Sequence, residues 1–230
     1  MITNNKLKEL VKLNKAKTRK ETGLFIVEGD HLVSEAKQLN LLVETYTILD
    51  DYDGIKITPS EMKKICNTNT VCPVIGICKM IEKNNVSNKV LILDRISDPG
   101  NLGTLLRSAK AFGFETVFCS DNSVDFYNDK VIRSSQGAIF KLNLITGDII
   151  KFITKLKQTH KVYGTNVVNG VNLNEVEKVN NFGLVLGNES TGICSEVFDI
   201  LDKNIYINML DTESLNVGVC GSIIMHHIFN

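Results

Sequence analysis

The amino-acid sequence predicts an α/β fold in two parts, a small α/β unit followed by a mostly parallel sheet with helices on both faces. Three observations support this. From Lys89 onward, continuous apolar runs alternate with segments of helical spacing, the pattern of parallel strands buried on both faces. Ahead of them the runs are shorter and more mixed, and the polar, aperiodic stretch Glu82-Lys83-Asn84-Asn85-Val86-Ser87-Asn88 separates the two regions. The 230 residues also exceed the usual single-domain size of ~100–150, so two cores are expected. The expected organisation is residues 1–82 as a first domain, 83–88 as a linker and 89–230 as a second domain. A cut at residue 84 is expected to leave the second domain folded.

Taken in order, Leu7, Leu10, Val11 and Asn14 keep helical spacing. Leu24–Val27 is a short β-prone run ending at Glu28-Gly29, and His31–Leu39 is predicted helical. A second β-rich run spans Val43–Leu49. Thr58-Pro59-Ser60-Glu61 has the capping-box form with proline at the first helical position, so a helix should begin at Pro59. Val74–Met80 is the last strand of this part. In the second part the predicted strands are Val90–Asp94, Thr116–Cys119, Ala138–Asn143, Val162–Gly164, Leu184–Gly187 and Asn204–Met209. The predicted helices are Leu102–Phe112, Asn128–Ser135, Asp148–Gln158, Cys194–Leu201 and Leu215–Phe229.

Composition excludes several classes. Met1–Lys20 is polar and basic with no following apolar stretch, and no apolar run reaches the ~20 residues of a membrane span. A cytoplasmic location and no membrane are therefore expected. The six cysteines show no C-x-x-C pair and the four histidines are dispersed, so reduced thiols and no metal site are expected. Net charge is zero, but residues 1–20 hold seven Lys/Arg against one acid, whereas residues 171–230 hold eight Asp/Glu against two lysines. A basic arm suits a polyanion, whose phosphates are neutralised on binding. A solvated helix face would give the same composition.

Three stretches carry chemistry. Asp94–Ala109 runs from a buried strand through Asp98-Pro99-Gly100-Asn101 into a helix. Ligands of open α/β sheets bind outside the carboxyl ends of strands, where this turn would lie. It sets the Asn101 amide at a helix entrance and the Arg107 guanidinium about a turn and a half further on, suited to an anion. Leu186-Gly187-Asn188-Glu189-Ser190-Thr191-Gly192 is a glycine-bearing loop after an apolar strand, without the P-loop or G-x-G-x-x-G pattern. Ile207–Val219 is a strand, a short loop and an apolar helix. Ser214 reads as its N-cap, which leaves Asn216 without a structural duty.

In this order the three stretches resemble the signature motifs of the SpoU, or TrmH-like, branch of the SPOUT methyltransferases. Lys130-Val131-Ile132-Arg133-Ser134-Ser135-Gln136-Gly137-Ala138 is similar to the K-x-x-R-x-S-x-G-A segment between the first two motifs. Lys17-Thr18-Arg19-Lys20 with Gly23–Gly29 is similar to the substrate-binding domain ahead of many members. The resemblance implies a C-terminal trefoil knot, a homodimer with the site near the subunit interface, and S-adenosyl-L-methionine as methyl donor to an RNA ribose 2′-hydroxyl, with ribosomal RNA preferred. It places function on Asn101, Arg107, Glu189, Ser214 and Asn216, and donor binding on Leu186, Gly187, Asn188, Ile207, Met209 and Leu215. Lys12, Lys15, Lys17, Arg19, Lys20 and Arg133 are expected to meet RNA.

Two departures stand out: Asn208 occupies the position of the usual proline in I-P-M, and the following loop is one residue short, with Asp211 near the missing glycine. A differently shaped adenosine loop is expected. A guanidinium is a poor proton acceptor, so Arg107 is assigned to orienting phosphate and stabilising a developing alkoxide, not to general base catalysis. Asn101, Ser214 and Asn216 would fix the ribose and Arg107, and Glu189 would orient its neighbours and offset positive charge. The alternatives are a non-catalytic RNA-binding or ribosome-assembly factor on the same fold, which donor binding would distinguish, and a transfer-RNA target. A nucleotide-binding oxidoreductase or hydrolase lacks its phosphate loop.

Overall fold

The structure, a computed structural model, describes residues 2–68, 70–81, 85–166, 170–177, 179–212 and 214–229. Its elements are α1 (Asn4–Lys12), α2 (Ala16–Thr22), β1 (Leu24–Glu28), α3 (Asp30–Gln38), β2 (Leu42–Thr47), β3 (Ile55–Lys56), α4 (Pro59–Ile65), β4 (Val74–Lys79), β5 (Lys89–Leu93), α5 (Pro99–Ala111) and β6 (Thr116–Ser120). There follow α6 (Asp129–Ser135), a 3₁₀ turn at Ala138–Lys141, β7 (Asn143–Gly147), α7 (Ile149–Leu156), β8 (Lys161–Thr165) and β9 (Val171–Asn172). A second 3₁₀ turn at Leu173–Glu175 leads to β10 (Phe182–Leu186), α8 (Ser195–Phe198), β11 (Lys203–Tyr206) and α9 (Val217–Phe229).

The chain divides into two compact units, Met1–Ile81 with Asp125–Phe140, and Glu82–Val124 with Lys141–Asn230. The first holds a four-stranded sheet in the order β1-β4-β2-β3, antiparallel except for the β2–β3 pair. Leu10, Leu13, Ile26, Tyr46, Met62, Ile65 and Ile75 form its core. Helix α4 begins as its sequence predicts: Thr58 Oγ accepts from the Glu61 N–H while the Glu61 carboxylate accepts from the Thr58 N–H, a closed capping box.

Membership of Asp125–Phe140 in this unit follows from packing. Phe25 stacks at a tilt on Tyr127, ring centroids 4.6 Å apart, and lies 6.3 Å from Phe140; Tyr127 Oη accepts from the Ile81 N–H. Val131, Ile132, Ile139 and Phe140 are all buried. The predicted strand Ala138–Asn143 is corrected accordingly. Its apolar residues form a 3₁₀ turn that buries in the first unit, and the strand is the more polar edge segment Asn143–Gly147. A cut at residue 84 would therefore separate α6 and its 3₁₀ turn from the rest of the unit they pack in. Of the expected linker, residues 83 and 84 lie outside the described residues; Asn88 is tied to the second unit by the N–H of Phe182.

The second unit is a seven-stranded sheet, all parallel, in the order β7-β6-β5-β10-β8-β11-β9. Leu91, Ile92 and Leu93 of β5 and Leu184, Val185 and Leu186 of β10 are buried on both faces, which accounts for their unbroken apolar runs. Each such side chain contributes roughly 1.5–3 kcal/mol by leaving water. From β5 the chain winds one way through β6 and β7. It then returns to build β8 to β11 on the other side, so the switch point falls between β5 and β10. That is where an open α/β sheet leaves a crevice outside its carboxyl edge. Helices α5 and α9 pack together there, and Gly221 permits it: a Cβ at this position would sit 2.6 Å from both Leu105 and Leu186 side chains. Among the described residues no helix is long and apolar enough to cross a membrane.

Candidate active site

The site grows from the ends of β5, β10 and β11. After β5, Asp98 caps α5 by accepting the Asn101 N–H at 2.8 Å, with Pro99 at the first helical position. After β10, Gly187 starts a loop so tight that a Cβ there would lie 2.1 Å from the Gly192 and Ile193 backbone. The Asn188 and Gly192 backbones exchange hydrogen bonds at 3.0 and 2.9 Å, and Asn188 Oδ1 accepts from the Ser190 and Thr191 N–H groups. The loop is therefore closed on itself and presents Glu189 at its tip.

Glu189 bridges the first two motifs. Its carboxylate accepts from Ser97 N–H (3.2 Å), Ser97 Oγ (3.0 Å), Asp98 N–H (3.1 Å) and Asn101 Nδ2 (3.0 Å). Partial burial alone would raise its pKa. Hydrogen bonds from the Asn101 side chain and from the Glu189, Asp98 and Ser97 amides outweigh that and hold it at about 2. Asn101 Oδ1 in turn accepts from Asn216 Nδ2 at 2.9 Å, which brings in the third motif. The result is a hydrogen-bonded relay, Glu189 to Asn101 to Asn216, assembled from residues 88 and 115 positions apart.

Asn216 also corrects the expected cap. Helix α9 starts at Val217, and Asn216 Oδ1 accepts from the Gly218 (2.9 Å) and Val219 (3.3 Å) N–H groups. Asn216 is therefore the N-cap, and Ser214 lies two residues before that cap. One amide serves both ends: its oxygen caps α9 and its nitrogen holds Asn101.

Beside the relay lies a cleft of about 470 Å³. All six residues expected to hold the donor line it, Leu186, Gly187, Asn188, Ile207, Met209 and Leu215, as do Glu189, Ser214 and Asn216. The predicted strand Asn204–Met209 ends at Tyr206, which frees Ile207–Met209 to run along the cleft wall. Asp211 adopts φ +53°, a left-handed conformation that favours glycine, at the place where the family glycine is missing. Leu210 beside it is 92% exposed.

Arg107 stands apart. It is exposed on α5, outside the cleft lining, with no hydrogen-bond or ion-pair partner among the described residues. The residues expected to meet RNA divide. Lys12, Lys15, Lys17 and Lys20 are exposed on the first unit. Arg19 is 6% exposed, donates to Leu13 O at 3.0 Å and pairs with Asp125, so it holds the unit together internally. Arg133 pairs with Asp129 at 2.9 Å on α6.

Thr165, Asn166, Tyr206 and Cys220 also line the cleft and were not expected from the sequence. The first two follow a predicted strand, a position that hinted at them; Cys220 carried no signal within an apolar helix. Burial pushes the Cys220 thiol up to about 11, so it is a packing group at neutral pH. All six cysteines are free, and no cluster of three or more His, Cys, Asp or Glu side chains suited to a metal occurs among the described residues.

Fold and site together define an α/β enzyme with its ligand cleft at the switch point of a parallel sheet. Its family is set by sequence: residues 88–226 match the SpoU rRNA Methylase family and residues 4–76 the MRM3-like substrate binding domain. The chain belongs to the SpoU rRNA methylase family and is a methyltransferase. It is 34% identical to the 23S rRNA (guanosine(2553)-2′-O)-methyltransferase RlmP of Bacillus subtilis, over 98% of this chain and 96% of that one. The AdoMet-bound rRNA methyltransferase of Sinorhizobium meliloti shares the fold (TM-score 0.88, 22% identity, 99% and 95% of the two chains). So does the SpoU methyltransferase AviRb of Streptomyces viridochromogenes in complex with AdoMet (TM-score 0.83, 20% identity, 99% and 97%). Family membership implies the C-terminal trefoil knot.

Proposed function

We propose that the protein transfers a methyl group from S-adenosyl-L-methionine to the 2′-hydroxyl of a ribose in ribosomal RNA. The observation that carries this reading is the relay from Glu189 through Asn101 to Asn216, which gathers all three motif stretches at the mouth of one cleft. The 23S rRNA guanosine named for the Bacillus subtilis relative makes a large-subunit guanosine the preferred target, with a cytoplasmic location to match.

The residues present fit the donor. At about 470 Å³ the cleft lies within the ~300–1,000 Å³ of small-molecule sites. Leu186, Ile205, Ile207, Met209, Val217 and Ile224 supply apolar wall for a nucleoside. At the rim, no described residue accepts a hydrogen bond from the backbone N–H of Met209 or Leu215, so both are available to a ligand. When bound, the sulfonium supplies an activated methyl group for in-line displacement. The protein's own part is alignment and charge stabilisation. The loop Gly187–Gly192 and the segment Ile207–Leu215 hold the donor. Asn101, oriented by Glu189 and Asn216, fixes the ribose together with Ser214. Arg107 takes the adjoining phosphate and stabilises the oxygen as it loses its proton to phosphate or water.

A homodimer belongs to the same proposal. Helix α9 exposes Val219 (48%) and Ile223 (40%), one turn apart on one face, and Phe229 (54%) near its end, apolar surface suited to a second copy. Light scattering showing a monomer across micromolar concentrations would defeat that part. The main test has two arms. Calorimetric titration with S-adenosyl-L-methionine in EDTA should give binding, and 2′-O-methyl mapping of RNA from cells with and without the gene should lose one ribosomal site. No binding at millimolar donor would overturn the proposal.

A further inference from the structure

The loop that walls the donor cleft is fastened at both ends by a dipeptide that does not itself line the cleft. Asp94 follows β5 directly and is 1% exposed. Arg95, the next residue, has φ +57°, a conformation that few side chains other than glycine, asparagine and aspartate adopt. Such a backbone persists only where its surroundings determine it, and here they do. The Arg95 N–H donates to Ser120 Oγ at 2.8 Å, and its carbonyl accepts from Asn188 Nδ2 at 2.8 Å.

The side chain completes the arrangement. Arg95 Nε and Nη2 donate to the two oxygens of Asp94, each at 3.1 Å, a planar fork on a buried carboxylate. The same Nη2 donates to Gly192 O at 3.1 Å. Asp94 Oδ2 also accepts from the Cys194 N–H at 2.9 Å. The start of the loop is thus held at Asn188, its end at Gly192 and the following chain at Cys194, two residues further on, all by Asp94-Arg95. Between those anchors sits Glu189, on which the relay depends.

We infer that Arg95, seated on Asp94, is a positioning residue that sets the shape of the Gly187–Gly192 loop and thereby the capture of the methyl donor. The inference rests on the methyltransferase reading above. Neither residue touches the cleft, so the effect acts through the loop. Arg95 serves this role better than lysine because the fork satisfies both Asp94 oxygens while leaving Nη2 shared with Gly192, a geometry a point charge does not reproduce.

The test is Arg95→Gly, which tolerates the positive φ, can keep the backbone bonds to Ser120 and Asn188, and removes the whole side chain with its guanidinium. Calorimetry with S-adenosyl-L-methionine should show donor binding weakened about tenfold, as expected from the loss of about one charge-assisted hydrogen bond. Affinity for ribosomal RNA fragments should stay unchanged. Arg95→Lys should recover only part of the loss. Because Arg95→Gly leaves a buried carboxylate unpaired, the double variant Asp94→Asn with Arg95→Gly is measured beside it. Its amide oxygen still accepts from Cys194 without the charge, and the same weakening is expected. A merely structural role would lower the melting temperature and leave the donor affinity of the folded protein intact. Folded single or double variants that bind the donor within about twofold of the parent overturn the inference. A parent that binds no donor overturns the methyltransferase reading and the inference together.

Discussion

Asn101 and Arg107 stand on one helix, α5, yet their surroundings are opposite. Asn101 uses its backbone and both side-chain atoms, bonded to Asp98, Glu189 and Asn216, and is tied to three elements before any substrate arrives. Arg107 is exposed and without a partner among the described residues. Under the proposed function, the contrast separates a preorganised part of the site from a part left open for an RNA phosphate. A guanidinium already paired with a carboxylate would have to give up that partner before taking a phosphate.

The largest effect should come from the open side. Arg107→Ala is expected to lower methyl transfer by ~10²–10³-fold, the range for removing one donor aimed at developing charge, while donor affinity stays put. Its exposed position keeps the stability change within about 0.5 kcal/mol, and lysine should rescue little. Single-turnover methylation with calorimetric donor binding checks this. Full activity of Arg107→Ala would remove it from the mechanism.

The closed side is sharpened by Asn216→Asp. A carboxylate still accepts from Gly218 and Val219, so α9 keeps its cap, but it cannot donate to Asn101 Oδ1. Activity should fall with little loss of melting temperature. Asn216→Ala should lose both, with a capping cost of ~0.5–2 kcal/mol. Equal activity of Asn216→Asp and the parent would show that the relay ends at Asn101.

Glu189 gives a pH signature. Its carboxyl lies at about 2 in the folded chain against an ordinary value of 4.5. Its contribution to stability is therefore present above pH 4.5 and lost as pH falls toward 2, where the folded carboxyl takes up its proton. In acid titrations Glu189→Gln should flatten the stability profile between those values. An unchanged profile would mean that the relay adds nothing to the folded state.

The smallest effect concerns the basic arm, where a second contrast holds. Lys17 and Lys20 are exposed, while Arg19 between them is buried against Asp125. Each lysine in contact with a phosphate should add ~0.7–0.9 to the slope of log affinity against log salt, so replacing both with alanine should flatten it by one or two such steps. Arg19→Ala should instead lower the melting temperature by leaving Asp125 unpaired. An unchanged salt slope in the lysine variant would leave RNA recognition to the second unit.

Much of this was legible in the sequence for local reasons. The capping box at Thr58, the unbroken apolar runs of β5 and β10 and the glycine loop after β10 depend on near neighbours and on burial of both sheet faces. The motif residues were visible as types and spacings. What the sequence left open depends on contacts across long separations. Ala138–Phe140 has the apolarity of a strand, and only its burial against Phe25 makes it a turn of the first unit. Arg19 and Lys20 are alike as charges, and only Asp125, more than a hundred positions away, decides that one is buried. Asn216 had no visible duty until the fold set its oxygen over the start of α9 and its nitrogen against Asn101. Local periodicity and turn chemistry thus set element type and the candidate residues. Tertiary structure alone decided which polar atoms meet, because a hydrogen bond needs its partners within about 3 Å and the chain brings these together only after the sheet has closed.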